Sequence, residues 1–224
     1  MPKQTGLFES FDNLDQIDID SLIGWLKGVP TNLNAIHLEN YLANKILYPA
    51  ALPLTQVDMK IELAILREIL RMSGPKEDSN TNSMLGDNPF LNATLRKIII
   101  PEKFLQYIPD LVSLTWAFVD GLLLNRRKKD YFEDIWTVIL ADDIDQVVGT
   151  ILLPQFNGES DAMNLKLLGK TFKIKSGNIA VVPCPKERCE IAYKFNQGQI
   201  LGKKENALEV YGGKLGLMID GRIR

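Results

Sequence analysis

The chain has 224 residues, of which 46% are hydrophobic and 24% charged, and its formal net charge is -2. This composition is typical of a globular protein and excludes a disordered or fibrous chain. The near-neutral charge provides no general attraction for nucleic acid or an anionic membrane, so we expect neither as a partner. No run approaches the roughly 20 apolar residues of a transmembrane helix, and the polar N-terminus does not resemble a signal peptide. We therefore expect a cytoplasmic protein.

Helical patterns dominate residues 1–74, which we assign to a helical segment. Apolar residues recur at helical spacing after Ile19 and again from about His37 to Leu47. A third helix has the clearest pattern, because Thr55 to Asp58 resembles a capping box at its start and Gly74-Pro75 ends it. The polar side chains that we expect on its solvent-exposed face are Lys60, Arg67 and Arg71.

A polar, turn-rich stretch at residues 75–94 predicts a linker or exposed loop. An α/β layer follows over residues 95–146. It begins with the apolar run Ile98–Ile100, continues through an amphipathic helix from Leu111 to Leu122 and ends with the apolar run Trp136–Leu140. Strand, helix and strand in this order predict a parallel βαβ unit.

Short alternating runs separated by glycine-containing turns begin after residue 146 and predict an antiparallel β domain over residues 147–224. The segment Asn206–Arg222 has two alternating apolar runs around Gly212-Gly213. It predicts two half-buried strands joined by a turn or bulge with positive φ. The predicted fold class is therefore α+β, with N-terminal helices, a reduced α/β layer and a C-terminal, mostly antiparallel β domain.

Few residues in the sequence suggest catalysis or metal binding. His37 is the only histidine, which does not support a histidine metal site or a catalytic triad, and we expect a surface or capping role. Cys184 and Cys189 lack the second Cys or His pair of a zinc site. We expect two unrelated thiols, since two cysteines do not suggest a disulfide framework. The alternative is a redox role for Cys184, if it is exposed near a cation.

Two charged clusters and one glycine-rich run are candidate ligand sites. Arg126–Lys129 could contact phosphate or a membrane surface, but a solvated helix end is the commoner outcome. The run 212–216, GGKLG, lies between strands, and neither GxxxxGK[ST] nor GxGxxG is present, so we expect a structural turn and no cofactor. The second charged cluster is acidic and lacks the glycine and glutamate of an EF-hand loop, so we expect a solvated turn there as well. Its residues are Asp142, Asp143 and Asp145.

Three blocks of the sequence together resemble one family. The first runs from Glu39 to Glu68, the second joins Ile98–Ile100 to Val119–Leu122, and the third joins Gly177–Pro183 to Val210–Arg222. In this order they resemble the C-terminal half of the glutamate mutase accessory proteins, which belong to the actin-like ATPase superfamily. The resemblance covers most of the chain, and its most specific part is the block GGKLGLMIDGR.

The resemblance implies an origin in an actin-like ATPase fold with an added C-terminal β domain, and a role as a reactivating or chaperone-like partner of a cobalamin-dependent mutase. This chain has no counterpart of the family's glycine-rich phosphate loop. The family's Ser-Gly-Gly type turn is also replaced, because Ile100 is followed by Pro101 and Glu102. Proline supplies no N–H, and the glutamate repels phosphate. The retained motif positions, to which we assign structural roles, are Gly177, Pro183, Gly212, Gly213, Leu215, Gly216, Asp220 and Arg222.

These features predict a non-enzymatic interaction or scaffolding protein, derived from a mutase-associated actin-like ATPase, with a protein partner of unknown identity. We predict no catalytic, cofactor-binding or metal-binding residue. One alternative is a subunit of a split actin-like ATPase that acts as a chaperone or reactivase partner. Another is a stand-alone ligand- or peptide-binding β domain, which would show a concave pocket in the C-terminal half. Neither the oligomeric state nor a ligand follows from the sequence.

Overall fold

The chain divides into a helical unit, Met1–Ser79 with Glu102–Leu123, and a β unit, Asn80–Pro101 with Leu124–Arg224. The computed structural model describes residues 14–27, 33–73, 97–122, 134–141, 146–185 and 187–222. The predicted linker at 75–94 lies outside these described residues, as do the basic cluster 126–129 and the acidic cluster 142–145.

The helical unit contains four α-helices and two short 3-10 helices within the described ranges. None of these helices has the length and hydropathy needed to span a membrane. The α-helices are α1 (Ile19–Trp25), α2 (Ala35–Leu47), α3 (Gln56–Ser73) and α4 (Leu111–Gly121), and the 3-10 helices are Leu14–Gln16 and Glu102–Gln106.

Polar caps start these helices, as the sequence predicts for α3. The Asp58 N–H donates to Thr55 Oγ1 at 3.0 Å, and the Thr55 N–H donates to Asp58 Oδ2 at 2.9 Å. This reciprocal pair confirms the predicted capping box and satisfies two N–H groups that the helix cannot pair itself. Asp18, Asn34 and Asp110 are simple N-caps of α1, α2 and α4, since their side chains accept hydrogen bonds from the N–H groups of Ser21, His37 and Val112.

Helix α3 forms the centre of the helical unit and packs against α4 and α1. Residues 61–66 are all buried, so α3 is covered on most of its circumference. The predicted exposure of Arg67 is wrong, because its Nε lies 3.2 Å from Asp120 Oδ2 of α4 and its side chain is only 17% exposed. A long helix at the centre of a small bundle must bury some of its polar residues, and it then pairs them.

The β unit contains nine strands within the described ranges. They are β1 (Lys97–Pro101), β2 (Ile135–Ala141), β3 (Gln146–Leu152), β4 (Ala162–Leu167), β5 (Lys170–Lys175), β6 (Ile179–Val182), β7 (Arg188–Phe195), β8 (Glu205–Tyr211) and β9 (Gly216–Asp220).

The strands form a five-stranded sheet of order β1-β2-β3-β9-β6 and a four-stranded sheet of order β5-β4-β7-β8. Strands β1 and β2 pair in parallel, which confirms the predicted parallel strands on either side of a helix. The four-stranded sheet is antiparallel throughout. The chain is therefore α+β with a mostly antiparallel C-terminal part, as the sequence predicts.

The units group the elements differently from the four predicted segments. Helix α4 belongs to the helical unit, because it packs on α3, whereas β1 and β2 on either side of it belong to the β unit. The prediction that the strand at Leu215–Ile219 is half-buried is wrong, because β9 is buried at all five of its positions. Strand β9 lies between β3 and β6 and has no free edge.

The core of the β unit lies between the two sheets. Leu152, Leu217 and Ile219 of the five-stranded sheet belong to one apolar cluster with Leu165 and Ile191 of the four-stranded sheet. The four-stranded sheet thus has one face in the core and one face in solvent, which explains the strict alternation of buried and exposed residues along β7.

Candidate functional site

The solvent face of the four-stranded sheet carries a depression of about 580 Å³. We call this face, formed by the outward-pointing side chains of β4, β5, β7 and β8, the outer sheet face. A depression of this size lies within the range of small-ligand and peptide pockets. Its lining includes Asn164, Lys166, Thr171, Ala192, Lys194, Glu205 and Ala207.

Two neighbouring alanines form the floor of the depression. Ala192 of β7 lies directly opposite Ala207 of β8, and on the other side of Ala192 lies Lys166 of β4. Directly opposite residues on paired strands have Cβ atoms about 5 Å apart. Because alanine ends at Cβ, the longer side chains of the adjacent row rise around the floor, and these are Asn164, Lys194 and Glu205.

The charges on the outer sheet face are distributed unevenly. Lys194 Nζ pairs with Glu205 Oε2 at 2.8 Å, with both side chains about two thirds exposed. The side chain of Lys166 makes no hydrogen bond or ion pair with the described part of the chain. On the far side of the alanines, Glu190 lies opposite Glu209, and directly opposed like charges are unfavourable.

Arg188 offsets part of that acidic charge. Its Nη1 lies 3.0 Å from Glu209 Oε1, and its guanidinium lies over the Tyr211 ring at 5.5 Å. The hydrogen bond to Glu209 raises the pKa of Arg188. Positive charge thus predominates on Lys166 and in the row of Lys194, where Glu205 offsets part of it, and Glu190 and Glu209 lie in the row beyond the alanines.

A buried ionic cluster occupies the helical unit. Lys45 Nζ lies 2.6 Å from Glu62 Oε1, and both side chains are nearly inaccessible to solvent. Tyr41 donates a hydrogen bond of 2.8 Å to the same oxygen, and Lys45 also donates to the Ala51 carbonyl. Glu62 Oε2 has no hydrogen-bond partner among the described residues. Burial raises the pKa of Glu62, and burial together with the Glu62 charge raises the pKa of Tyr41.

A second buried carboxylate on the same helix has a different environment. Glu68 accepts hydrogen bonds from Trp25 Nε1 at 3.1 Å and from Arg71 Nε at 2.9 Å. Burial raises the pKa of Glu68, but the hydrogen bonds from Arg71 and Trp25 outweigh it and the pKa is lowered. Each of the two buried carboxylates, Glu62 and Glu68, has an ion-pair partner inside the bundle, which explains how it is tolerated there. Neither lines the depression on the outer sheet face.

The glycine-rich run 212–216 uses its backbone N–H groups within the β unit. Gly213 donates to the Cys184 carbonyl at 2.8 Å, and Leu215 donates to the Val148 carbonyl at 2.8 Å. Gly212 donates to Glu187, and Gly216 donates to Gly213. Four of the five N–H groups of this run are therefore paired within the β unit, and the run joins β8 of one sheet to β9 of the other.

Gly213 has a φ of +131°, and a Cβ at this position would lie 2.8 Å from the Val148 carbonyl oxygen. The predicted positive φ in the Gly212-Gly213 pair is thus found at Gly213, and a side chain there would also clash with β3. Gly216 has a φ of +73° and faces the Val182 carbonyl oxygen at a similar separation.

Of the remaining motif positions, Gly177, Asp220 and Arg222 lie around the end of β9, and Pro183 lies beside its first residue, Gly216. Asp220 is 1% exposed and pairs with Arg222 Nη2 at 2.7 Å. Gly177, with a φ of +81°, donates to the Gly221 carbonyl at 2.7 Å. Pro183 directly follows β6 and is exposed. All eight positions lie in the β unit and away from the outer-face depression, whose lining does not include any of them.

The expectation of two unrelated thiols is wrong, because Cys184 and Cys189 form a disulfide. The chain folds back between β6 and β7 and brings the two Cα atoms to 6.8 Å. Both cysteines are buried in the apolar core of the β unit. The condition for a redox role of Cys184, exposure near a cation, is therefore not met.

His37 lies on the surface in the first turn of α2, where its N–H donates to the capping Asn34.

Sequence reasoning missed the buried aspartates of the β unit. Asp161 accepts hydrogen bonds from the N–H groups of Asn157, Ala162 and Gln197 at 2.8–3.0 Å. Asp134 accepts one from the Leu201 N–H at 2.8 Å. Asp161 directly follows the turn at residues 157–160, and an aspartate beside a turn is the local signal that could have found it. Asp134 directly precedes β2, and no local signal in the sequence marks it.

Within the described ranges, no group of three or more histidine, cysteine, aspartate or glutamate side chains could hold a metal ion. No family model, curated protein or solved structure matches the chain.

Proposed function

We propose that this protein is a non-catalytic interaction or scaffolding module that binds a protein partner through the outer sheet face. The observation that carries the proposal is the open depression over Ala192 and Ala207. The opposite side of the same sheet is packed into the core, so the depression is held by a rigid support. Rigid elements position a binding surface more precisely than loops do.

The proposed descent from mutase-associated actin-like ATPases rests on the sequence resemblance alone. Two local features of the fold support the loss of nucleotide chemistry within that proposal. Strand β1 ends at Pro101, directly before the 3-10 helix that begins with Glu102. The N–H groups of Gly212, Gly213, Leu215 and Gly216 are engaged within the chain. Pro101 supplies no N–H group and Glu102 adds a negative charge beside it, so both features disfavour phosphate binding.

A small-molecule-binding β domain is the second candidate. The volume of the depression favours it, since pockets of about 300–1,000 Å³ hold drug-sized ligands. The two candidates differ in what occupies the outer sheet face inside the cell. Capture of a stable protein partner through this face supports the first, and co-purification of a bound small molecule without a partner supports the second.

Partner capture with a filled depression tests the proposal. Ala192→Trp places a large side chain on the exposed floor, where no core contact is disturbed. Ala43→Trp makes the same change at an exposed position of α2. Each tagged protein is expressed in cells of the organism that produces it natively and is purified with and without ATP and magnesium. The captured proteins are then identified by mass spectrometry.

We expect the wild type and Ala43→Trp to retain one partner that Ala192→Trp loses, independently of ATP. Equal capture by all three proteins would contradict the assignment to this face. Capture of an actin-like protein only in the presence of ATP would instead support a split ATPase, and measurable ATP hydrolysis by the purified chain would refute the non-catalytic assignment.

A further inference from the structure

The charges around the depression indicate which kind of segment it holds, and this inference rests on the proposed function. We propose that the depression binds an acidic peptide segment of the partner protein, with its carboxylates on Lys166 and Lys194 and its small side chains over the alanine floor.

Lysines from three adjacent strands supply the positive charge. Lys173 of β5 and Lys194 of β7 both lie opposite Asn164 of β4, and Lys166 lies in the next row. Lys166 and Lys173 make no ion pair with the described part of the chain. The Lys194–Glu205 pair is exposed, so it contributes little to stability. A ligand carboxylate can therefore replace Glu205 at Lys194 without a large loss.

Two neutral donors add directional contacts. The side chains of Asn164 and Thr171 line the depression and make no hydrogen bond with the described residues. An amide NH₂ and a hydroxyl can both donate to a carboxylate, and such charge-assisted bonds are the stronger ones. Polar groups without a partner beside unpaired lysines are the feature that points to an anionic ligand.

The floor limits the side chains of that ligand. Ala192 and Ala207 lie side by side and leave a shallow space, which accepts alanine, glycine or serine better than an aromatic ring. The occupant must also avoid Glu190 and Glu209, which lie one row beyond the alanines. Acidic side chains of the bound peptide are therefore favoured near Lys166 and Lys194 and disfavoured near Glu190 and Glu209.

A nucleic acid fits this surface less well than a peptide does. Single strands bind on aromatic platforms, but the Tyr193 ring is buried in the core, and the Tyr211 ring on the outer sheet face is covered by the Arg188 guanidinium and lies beyond Glu190 and Glu209. The opposed pair Glu190 and Glu209 would also repel a continuous polyanion that crosses the face.

Fluorescence anisotropy with synthetic peptides tests the inference. The probe is a capped, labelled peptide of alternating alanine and glutamate, and its matched control has glutamine in place of glutamate. The proteins are the full-length wild type, the double variant Lys166→Gln/Lys194→Gln, and Lys170→Gln, which removes an exposed lysine of β5 outside the depression. Thermal melts verify that each variant folds.

We expect the wild type and Lys170→Gln to bind the glutamate peptide at least about tenfold more tightly than the glutamine peptide. The double variant should lose that preference, and salt should weaken the binding of the wild type. Equal affinity for both peptides, or an unchanged preference in the double variant, would overturn the inference. Competition by free glutamate as strong as that by the peptide would also overturn it, because it would identify a small-anion site.

Backbone amide chemical shifts give a second measurement that needs no variant. The glutamate peptide should perturb amides in β4, β7 and β8 near the alanine floor. Perturbations confined to other parts of the chain would overturn the inference. If the glutamate peptide binds here while Ala192→Trp still captures the native partner, the proposed function fails and with it the assignment of the segment to that partner, whereas acidic-peptide binding by the depression is retained. If Ala192→Trp loses the partner but both peptides bind equally, the proposed function is retained and this inference fails.

Discussion

The helical unit and the β unit neutralise their buried charges in different ways. Helix α3 pairs Glu62 and Glu68 with the side chains of Lys45 and Arg71. The β unit instead holds Asp161 with backbone N–H groups. The difference follows from the backbone, because a helix interior uses its own N–H groups and offers none to a carboxylate, whereas turns leave N–H groups free. The buried carboxylates of α3 therefore depend on a second charge and Asp161 depends on loop conformation, whereas Asp220 at the end of β9 uses both the Arg222 N–H and the Arg222 guanidinium.

The largest effect is expected from breaking the ion pair in the bundle. Lys45→Met leaves Glu62 buried without its cation and should lower the free energy of unfolding by about 3–5 kcal/mol. Urea unfolding at neutral pH measures this loss. The double variant Lys45→Met/Glu62→Leu removes both charges and should recover about half of it or more, since apolar replacement of a whole buried pair is often tolerated. A loss below about 1 kcal/mol for Lys45→Met would show that the pair is exposed to solvent.

A smaller effect is expected when the backbone-bound carboxylate of the β unit is removed. Asp161→Ala leaves the N–H groups of Asn157 and Gln197 without their acceptor and should cost about 2–3 kcal/mol. Asp161→Asn keeps one acceptor oxygen and should cost less. The control is Glu159→Ala in the same loop, which is exposed and should change stability by no more than about 0.5 kcal/mol. Equal losses for Asp161→Ala and Glu159→Ala in chemical unfolding would contradict the anchoring role.

The disulfide is a covalent constraint of the β unit without a counterpart among the described residues of the helical unit. It closes a loop with a sequence separation of 5, and the chain-entropy relation gives such a loop about 2 kcal/mol of stabilisation. Reduction of the wild type should therefore lower the unfolding midpoint. The variant Cys184→Ala/Cys189→Ala should be indifferent to reductant. Alkylation of both thiols in the folded, unreduced protein would disprove the bond.

The smallest effect concerns pH and separates the two carboxylates of α3. Burial raises the pKa of Glu62 in the folded state, so the folded protein binds its proton more tightly than the unfolded chain. Its contribution to stability is present below the unfolded pKa, about 4.3, and is lost as pH rises through the folded pKa. The wild type should therefore lose stability relative to Glu62→Gln as pH rises above about 4.

Glu68 should show the opposite slope. Its folded pKa is lowered by the hydrogen bonds from Arg71 and Trp25, which outweigh burial. Its contribution is present above the unfolded pKa and is lost as pH falls through the folded pKa. The wild type should lose stability relative to Glu68→Gln on acidification below about 4. Thermal melts across pH measure both differences, and slopes of the same sign would contradict this assignment.

Local patterns were sufficient to predict the features that depend on neighbouring residues. The capping box at Thr55 and Asp58 depends on residues three apart, and the apolar runs of β1 and β2 indicate buried strands without knowledge of their partners. The alternation along Arg188–Phe195 likewise reflects one face in the core and one in solvent. These properties lie within one element, and the sequence of that element determines them.

Features that depend on distant pairing could not be predicted. The alternation of Leu215, Leu217 and Ile219 suggests one buried face, but β9 lies between two strands that are far from each other in sequence, and both of its faces are buried. The disulfide required Cys184 and Cys189 to meet across a fold in the chain. The depression over Ala192 and Ala207 depended on the register of β7 and β8, which no property of either strand reveals alone.

The central position of β9 has a consequence for the order in which the β unit folds. In the four-stranded sheet the pairs β4–β5 and β7–β8 join consecutive strands, and only the β4–β7 pair spans two intervening strands. Strand β6 hydrogen-bonds to β9 alone among the described strands, and β9 also pairs in parallel with β3, far earlier in the chain. Contacts of such long sequence separation form slowly, because the chain loses the entropy of closing a long loop before the new contacts stabilise it. We therefore expect docking of β9 to be a late step of folding, and β6 to remain without its strand partner until β9 docks.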